Sequence, residues 1–224
     1  MHVFLFDIDG TLLLGDGSGR AALEAAIRDE FGCEGPLQTV SFAGRTDRAI
    51  VTELLAANGV EPTEEARERC LRSYLEHLPG QLRGRNGRVL PGIVALLDAL
   101  AARDDTAVGL ITGNLRAGAR IKLAHFDLDR YFAFGGYGDD HHDRGDVARA
   151  ALGEAGRHLG FEPKVDRVWV IGDTPEDVRC ARAIGARVVA VATGFASIEE
   201  LRAAEPDVLL TDLTDPESLL ALLA

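Results

Sequence analysis

Acidic and hydroxyl side chains follow three short apolar runs of this 224-residue sequence. Asp7 and Asp9 end the first run in the segment DIDGT, Thr112 ends the second in ITGN, and Asp173 ends the third in GDTPEDV. Two carboxylates two residues apart at the end of an extended segment can face the same side of the chain. Carboxylates about 4 Å apart repel by about 4 kcal/mol at an effective dielectric constant of about 20. A cation is therefore expected to hold these acids together.

The expected cation is Mg²⁺, because the donors are all oxygen atoms and no His or Cys occupies a matching position. Water and a substrate phosphate would complete its coordination. Taken singly, an acidic pair is often a turn, and Thr112 or Asp173 with Asp177 can simply favour a helix start. The placement of three such loops after three apolar runs favours phosphoryl chemistry.

The apolar runs predict the elements that position these loops. Because the runs are continuous rather than alternating, both faces of the sheet should be covered, as in a parallel sheet. The predicted strands are residues 3–6, 108–111, 168–171, 188–191 and 208–210, with 131–134 as a further candidate. Helical stretches at 92–102, 115–126 and 174–184 alternate with the later strands. The sequence therefore predicts an α/β fold with a Rossmann-like parallel sheet flanked by helices.

Residues 16–85 differ from the rest of the chain, because their apolar positions follow helical spacing. Thr63, followed by two glutamates, is typical of a helix start, and the next residues carry one apolar stripe. We expect 16–85 to form an inserted all-helical cap domain, and 1–15 with 86–224 to form the α/β catalytic core. Ligands bind beyond the carboxyl ends of parallel strands, where such a cap would roof the site.

Composition excludes several classes of protein. The net charge of −12 argues against a general attraction to nucleic acid or to anionic membranes. The apolar content of 46% is that of an ordinary globular protein rather than a disordered one. Its three cysteines lie far apart, which suits free thiols in a reducing compartment. Without a secretory signal or a membrane-length apolar stretch, the sequence predicts a cytoplasmic protein.

The motifs DIDGT, ITGN and GDTPEDV resemble, in their order and in the predicted strands that they follow, the first, second and fourth motifs of the haloacid dehalogenase (HAD) superfamily. The resemblance covers nearly the whole chain and is closest to the phosphoglycolate-phosphatase-like branch with a helical cap. It implies that Asp7 is the nucleophile and that Asp9 is the general acid and base. It also implies that Mg²⁺ is bound by Asp7, the carbonyl oxygen of Asp9 and Asp173, with Asp177 as a further acidic contact.

The residues around these acids are expected to hold the phosphoryl group. Thr112 would offset charge on the phosphoryl oxygens as part of the catalytic set. Substrate contacts are expected from the neighbouring motif positions Gly10, Thr11, Gly113 and Asn114. In the predicted cap, Arg45 of the segment GRTDR is the preferred specificity residue, and a substrate with a second anionic group would suit it.

The third motif departs from the family, which usually has a lysine there and often a Lys-Pro pair. The corresponding interval reads GDDHHDRGDV, and Arg144 is the preferred catalytic replacement because a guanidinium can bridge carboxylate and phosphoryl oxygens. Lys122, one of only two lysines, is the alternative as a substrate contact. It lies on a predicted helix, about two turns from the site at about 1.5 Å per residue.

A second metal site in the same interval is not expected. His141 and His142 stand beside three acids, Asp139, Asp140 and Asp143. Adjacent residues rarely face one ion, and acidic loops are commonly solvated. We therefore interpret this segment as a solvated loop.

The leading interpretation is a Mg²⁺-dependent phosphatase that hydrolyses a small phosphorylated metabolite through an aspartyl-phosphate. A phosphotransferase or mutase of the same family would share the intermediate and return the phosphoryl group to a sugar. A non-enzymatic phospho-acceptor similar to response-regulator receivers is a third possibility, against which the cap and Asp9 argue. A 2-haloacid dehalogenase is disfavoured, because it needs neither a metal nor a second aspartate.

Overall fold

The computed structural model describes residues 1–139 and 141–223. Eight strands are β1 (His2–Phe6), β2 (Leu13–Leu14), β3 (Arg88–Val89), β4 (Thr106–Ile111), β5 (Gly135–Gly136), β6 (Val168–Gly172), β7 (Arg187–Val191) and β8 (Val208–Leu210). Six of them form a sheet in the order β5-β4-β1-β6-β7-β8, with every neighbouring pair parallel. The other two, β2 and β3, form a separate antiparallel pair.

Helices cover both faces of the six-stranded sheet. Those after β3 are α4 (Ile93–Ala101), α5 (Arg116–His125), α6 (Arg144–Leu159), α7 (Pro175–Ala183), α8 (Ile198–Ala203) and α9 (Glu217–Leu220). In β1, Phe4 and Phe6 belong to the core that includes α4 and α5, whereas Val3 and Leu5 belong to the core that includes α6 and α7. This alternation is the two-residue period of a strand buried on both faces.

The Rossmann-like α/β fold predicted from the sequence is confirmed. All five principal strands appear within two residues of the predicted bounds, as do α4, α5 and α7. The continuous apolar runs correspond to strands covered on both faces, as predicted. The three cysteines are free, and no helix within 1–139 or 141–223 combines the length and the apolarity needed to cross a membrane.

The candidate strand at 131–134 is wrong. Residues Asp129–Tyr131 form a short 3-10 helix, and the strand that pairs with β4 is Gly135–Gly136. A Cβ on Gly136 would lie 2.3 Å from the carbonyl oxygen of Val147 in α6. Close packing of α6 against the sheet thus requires glycine here, and a search for apolar runs does not detect a strand of two glycines.

Three helices follow one another between β2 and β3: α1 (Ser18–Phe31), α2 (Asp47–Ala57) and α3 (Glu64–Arg83). They share a hydrophobic core of their own, centred on residues such as Leu23, Leu54 and Leu78. The start of α3 is the predicted one, because the Thr63 hydroxyl accepts a hydrogen bond from the Ala66 backbone N–H at 3.2 Å. The division into a core and a cap at 16–85 stays a prediction.

Candidate active site

Three buried carboxylates meet at the carboxyl edge of the main sheet. Oxygen atoms of Asp7, Asp173 and Asp177 lie within 4.8 Å of one another. Asp7 follows β1 and Asp173 follows β6, and these two strands are neighbours in the sheet. Asp177 lies in the first turn of α7, where its Oδ2 accepts hydrogen bonds from the backbone N–H (3.1 Å) and the hydroxyl (2.7 Å) of Thr174.

Arg144 is the cation that contacts this cluster. It is only 4% exposed, and its guanidinium donates to Asp177 Oδ1 and lies 3.5 Å from Asp7 Oδ2. The position comes from α6, whose first residue is Arg144 and whose N-cap is Asp143, which accepts from the Gly145 N–H at 2.7 Å. The sequence pattern indicates a loop just before Arg144 and does not predict α6.

The charges of the cluster do not balance. Three carboxylates face one guanidinium, which leaves two negative charges without a partner among these residues. Burial raises the pKa of Asp173, and its neighbours Asp177 and Asp7 raise it further. Burial also raises the pKa of Asp7, although Arg144 acts in the opposite direction. A divalent cation would supply the missing positive charge, and an all-oxygen donor set fits Mg²⁺.

Asp173 is held by two loops at the sheet edge. Its Oδ2 accepts from the Phe195 backbone N–H at 2.8 Å, and its Oδ1 accepts from the Thr11 hydroxyl at 3.3 Å. Gly10 makes the close approach possible, because a Cβ there would lie 2.4 Å from Asp173 Oδ2. The Thr193 hydroxyl donates to the Gly10 carbonyl at 2.6 Å. Thr193 and Phe195 are not predicted as site residues from the sequence, although they follow β7 at the same edge.

A second network surrounds Asp9. The Lys122 ammonium donates to Asp9 Oδ2 at 2.6 Å and to Asn114 Oδ1 at 2.7 Å. The Asn114 amide in turn donates to Asp9 Oδ2 at 2.9 Å and to the Thr112 hydroxyl at 2.8 Å. Lys122 is 5% exposed, so its ammonium is committed to this network. Both candidates for the missing third-motif lysine therefore reach the site, but they contact different aspartates.

The segment between α1 and α2 packs on the loop after β4. The Asp47 backbone N–H donates to the Gly113 carbonyl at 2.8 Å, and Asp47 Oδ2 accepts from the Leu115 N–H at 2.8 Å. Burial raises the pKa of Asp47 to about 6, and the charge of Lys122 opposes this rise. Asp47 was not singled out from the sequence, because an acid at a helix start is common without any such contact.

A cavity of about 360 Å³ lies between these loops and the three helices α1–α3. Ten of the twelve residues predicted for the site line it, and the other two, Thr11 and Asp177, are fully buried beside it. Arg45 lines the cavity with its guanidinium paired to Glu53. A volume of this size suits a small metabolite.

Two acids of the acidic His-rich segment accept hydrogen bonds from backbone groups. Asp139 Oδ2 accepts from the Arg116 backbone N–H at 2.7 Å, and Asp143 caps α6. Asp140 lies outside the described residues. Among the described residues, the group of acids that could hold a metal ion is that of Asp7, Asp173 and Asp177.

Curated relatives of similar length match nearly the whole chain. Phosphoglycolate phosphatase of Synechococcus elongatus is 29% identical over 218 residues, which span 96% of this chain and 95% of the relative. Phosphoglycolate phosphatase of Salmonella typhimurium is 25% identical over 227 residues, spanning 94% of this chain and 88% of the relative.

Solved structures show the same fold. A hydrolase from Pseudomonas syringae has a TM-score of 0.74 at 24% identity and covers 100% of both chains. CbbY from Rhodobacter sphaeroides, solved with xylulose-1,5-bisphosphate, has a TM-score of 0.76 at 20% identity and covers 96% of both chains. The family model of the haloacid dehalogenase-like hydrolases matches residues 4–182. This protein therefore belongs to the haloacid dehalogenase-like hydrolase family, as its motifs predict.

Proposed function

We propose that this protein is a Mg²⁺-dependent phosphatase that hydrolyses a small phosphomonoester through an aspartyl-phosphate on Asp7. The observation that carries the proposal is the meeting of Asp7, Asp173 and Asp177 at the carboxyl edge of the main sheet, with Asp7, Asp9 and Asp173 lining one cavity. Relatives named phosphoglycolate phosphatase support a phosphorylated metabolite as the substrate. Residues 16–85, which contain α1–α3, would serve as the cap that closes the cavity over it.

Asp7 is suited to act as the nucleophile. Its backbone N–H donates to the Ile171 carbonyl at 2.9 Å, so the residue is fixed to the neighbouring strand β6. A carboxylate oxygen of Asp7 attacks phosphorus, a P–O bond forms, and the bond from phosphorus to the ester oxygen breaks. Mg²⁺, held by Asp7, the Asp9 carbonyl and Asp173, would offset negative charge on the phosphoryl group.

Asp9 is suited to move the proton in both steps. It gives a proton to the leaving alkoxide and then takes one from the water that hydrolyses the aspartyl-phosphate. Hydrogen bonds from Lys122 and Asn114 fix the Asp9 carboxylate at the cavity. The second step releases phosphate and restores the Asp7 carboxylate, so atoms and charges balance over the cycle.

Two further groups support the phosphoryl oxygens. The Thr112 hydroxyl accepts from the Asn114 amide at 2.8 Å, which leaves its own proton to donate to a phosphoryl oxygen. Arg144 supplies positive charge beside Asp7, and Lys122 supplies it beside Asp9. This charge lowers the repulsion between the aspartates and a dianionic phosphate.

Other activities of this family predict different observations. A phosphotransferase or mutase would pass the phosphoryl group to a sugar and release little phosphate. A carbon–halogen hydrolase would have no use for Asp9, which the structure holds by two hydrogen bonds. Membership of a hydrolase family and the presence of Asp9 count against a purely non-enzymatic phospho-acceptor.

The test measures phosphate release from a panel of phosphorylated metabolites and one aryl phosphate, with Mg²⁺ and with EDTA. The proposal predicts release that requires Mg²⁺, is sensitive to fluoride and is abolished in Asp7→Asn. Release that survives EDTA, or that Asp7→Asn retains at the wild-type rate, contradicts the proposal. Phosphoryl transfer to an added sugar without free phosphate would favour the mutase instead.

A further inference from the structure

The first turn of α1 presents free hydrogen-bond donors to the cavity. Ser18, Gly19 and Arg20 all line it. The N–H groups of Ser18 and Ala21 bond the carbonyls of Gly15 and Gly17, both at 3.0 Å, but those of Gly19 and Arg20 meet no acceptor among the described residues. Helix α1 has 14 residues and no acidic residue in its first turn. The positive end of its dipole is therefore not neutralised by its own side chains.

The Ser18 side chain is a second and independent sign of a ligand. Ser18 is 1% exposed, and its Oγ has no hydrogen-bond partner within the described parts of the chain. Buried hydroxyl groups almost always have a partner, and leaving one without any destabilises the fold. A ligand that accepts a hydrogen bond in the cavity would satisfy this group.

Two cationic side chains, Lys122 and Arg20, line the cavity beside this turn, together with one acid, Asp16, whose Oδ2 accepts from the Asn86 N–H at 3.1 Å. A Cβ on Gly19 would meet one atom within 4 Å, the Lys122 ammonium nitrogen at 3.7 Å, so the space beside Gly19 is open. The Arg20 guanidinium lies 4.5 Å from the centre of the Phe42 ring and has no carboxylate partner among the described residues. The charge of Arg45, by contrast, is already paired with Glu53.

We propose that the Ser18 hydroxyl, the N–H groups of Gly19 and Arg20 and the Arg20 guanidinium form a second anion subsite. It would hold a non-reacting anionic group of the substrate while the phosphomonoester lies at Asp7. The Lys122 ammonium nitrogen lies 2.6 Å from Asp9 Oδ2 and would lie 3.7 Å from a Cβ on Gly19, so the subsite is close to the reacting end of the cavity. The inference rests on the proposed phosphatase function and narrows the substrate to phosphomonoesters with a carboxylate or a second phosphate.

The test compares kcat/KM for three classes of phosphomonoester, represented by 2-phosphoglycolate, xylulose-1,5-bisphosphate and p-nitrophenyl phosphate. They carry a carboxylate, a second phosphate and no second anionic group, respectively. Ser18→Ala removes the hydroxyl, and Gly19→Ala places a methyl group in the open space beside Lys122. Ser73→Ala and Gly153→Ala are matched controls, because neither residue lines the cavity and a Cβ on Gly153 meets nothing within 4 Å.

We expect the wild type to prefer at least one of the two doubly anionic substrates. Ser18→Ala and Gly19→Ala should lower kcat/KM for that substrate at least about 10-fold more than for p-nitrophenyl phosphate, the loss expected for a hydrogen bond to a charged group. The substrate that shows the selective loss identifies the anionic group. The two control variants should show no such selectivity.

The subsite would be contradicted if the variants lost kcat/KM equally on all three substrates or on none of them. A wild type that prefers p-nitrophenyl phosphate would contradict it as well. Absence of hydrolysis in all three classes by the wild type would instead contradict the proposed function. Thermal unfolding checks that each variant is folded. If Ser18→Ala does not fold, Gly19→Ala decides, because alanine favours the helix more than glycine does.

Discussion

The ammonium nitrogen of Lys122 lies 2.6 Å from Asp9 Oδ2, across 113 residues of sequence. Two turns of α5 separate Lys122 from the start of that helix, but side chains on a helix lean toward its N-terminus. The long side chain therefore reaches Asp9, although Lys122 lies about two helical turns from the start of α5. This contact holds the carboxylate of the proposed general acid and base, whereas Arg144 contacts Asp7 and Asp177.

Replacing Lys122 should therefore impair turnover. Lys122→Met keeps the length and the apolar stem but removes the charge, and we expect kcat/KM to fall about 100-fold, as for the loss of one charge-stabilising donor. The control is Lys164→Met, which replaces the only other lysine, at an exposed position. If Lys122→Met were as active as Lys164→Met, Lys122 would have no role in turnover.

Replacing Arg144 should lower the stability of the protein. Arg144→Ala leaves Asp7 and Asp177 without their buried cation, and we expect a loss of about 3–5 kcal/mol in the free energy of unfolding. The comparison is Arg149→Ala on the same helix, whose exposed ion pair with Asp146 should contribute about 0–1 kcal/mol. Urea denaturation without Mg²⁺ measures both values. Similar small losses in the two variants would show that Arg144 does not hold the cluster together.

Substitutions of Asp9 and Asp173 should have different effects on turnover and on Mg²⁺ binding. Asp9→Asn keeps the backbone carbonyl proposed to contact Mg²⁺, so turnover should fall about 100-fold or more while the Mg²⁺-induced rise in Tm persists. Asp173→Asn removes a proposed ligand, and the rise in Tm should shrink or disappear. Near-normal turnover of an aryl phosphate by Asp9→Asn would argue against its role in proton transfer.

Asp47 should make the stability depend on pH. Its pKa is raised to about 6 in the folded protein by burial, so the folded state binds more protons than the unfolded state between about pH 4 and pH 6. Stability from this residue is therefore present at low pH and is lost as the pH rises through about 6. Asp47→Asn keeps an acceptor for the Leu115 N–H and should stabilise the protein by about 1–3 kcal/mol at pH 7.

That stabilisation should fade as the pH falls from about 6 to below about 4, where the wild-type carboxyl becomes protonated in both states. Unfolding in urea at several pH values measures the difference between the two proteins. Asp47→Ala, which also removes the acceptor, is the comparison that separates charge from hydrogen bonding. A difference independent of pH would contradict the account of Asp47.

The strands and the position of the site could be predicted because both follow from local chemistry. Apolar runs long enough to be buried on both faces mark parallel strands, and the loops after them share one edge of the sheet. Asp7, Thr112 and Asp173 therefore met as expected. In β5 the pairing depends on close contact between Gly136 and α6, which leaves no apolar signal in the sequence.

The contacts that backbone groups and long side chains make in the site could not be predicted from the sequence either. The Phe195 N–H that holds Asp173 belongs to a residue whose type says nothing about the contact. Serine is a common residue at the start of a helix, so its type at position 18 gives no sign of a ligand site. Only the structure shows that the Ser18 hydroxyl is buried without a partner among the described residues. Such features depend on how distant segments pack and not on residue type or spacing.

The central claim is that Asp7 carries the phosphoryl group during turnover. The most direct measurement mixes the enzyme with Mg²⁺ and an excess of the best phosphomonoester, quenches in acid within milliseconds, and locates the phosphoryl group by peptide mass spectrometry. We predict an acid-stable, hydroxylamine-sensitive phosphoryl group on the peptide that contains Asp7, longer-lived in Asp9→Asn. Phosphorylation of any other residue, or an enzyme free of phosphoryl groups at every time point while phosphate is released, would contradict it.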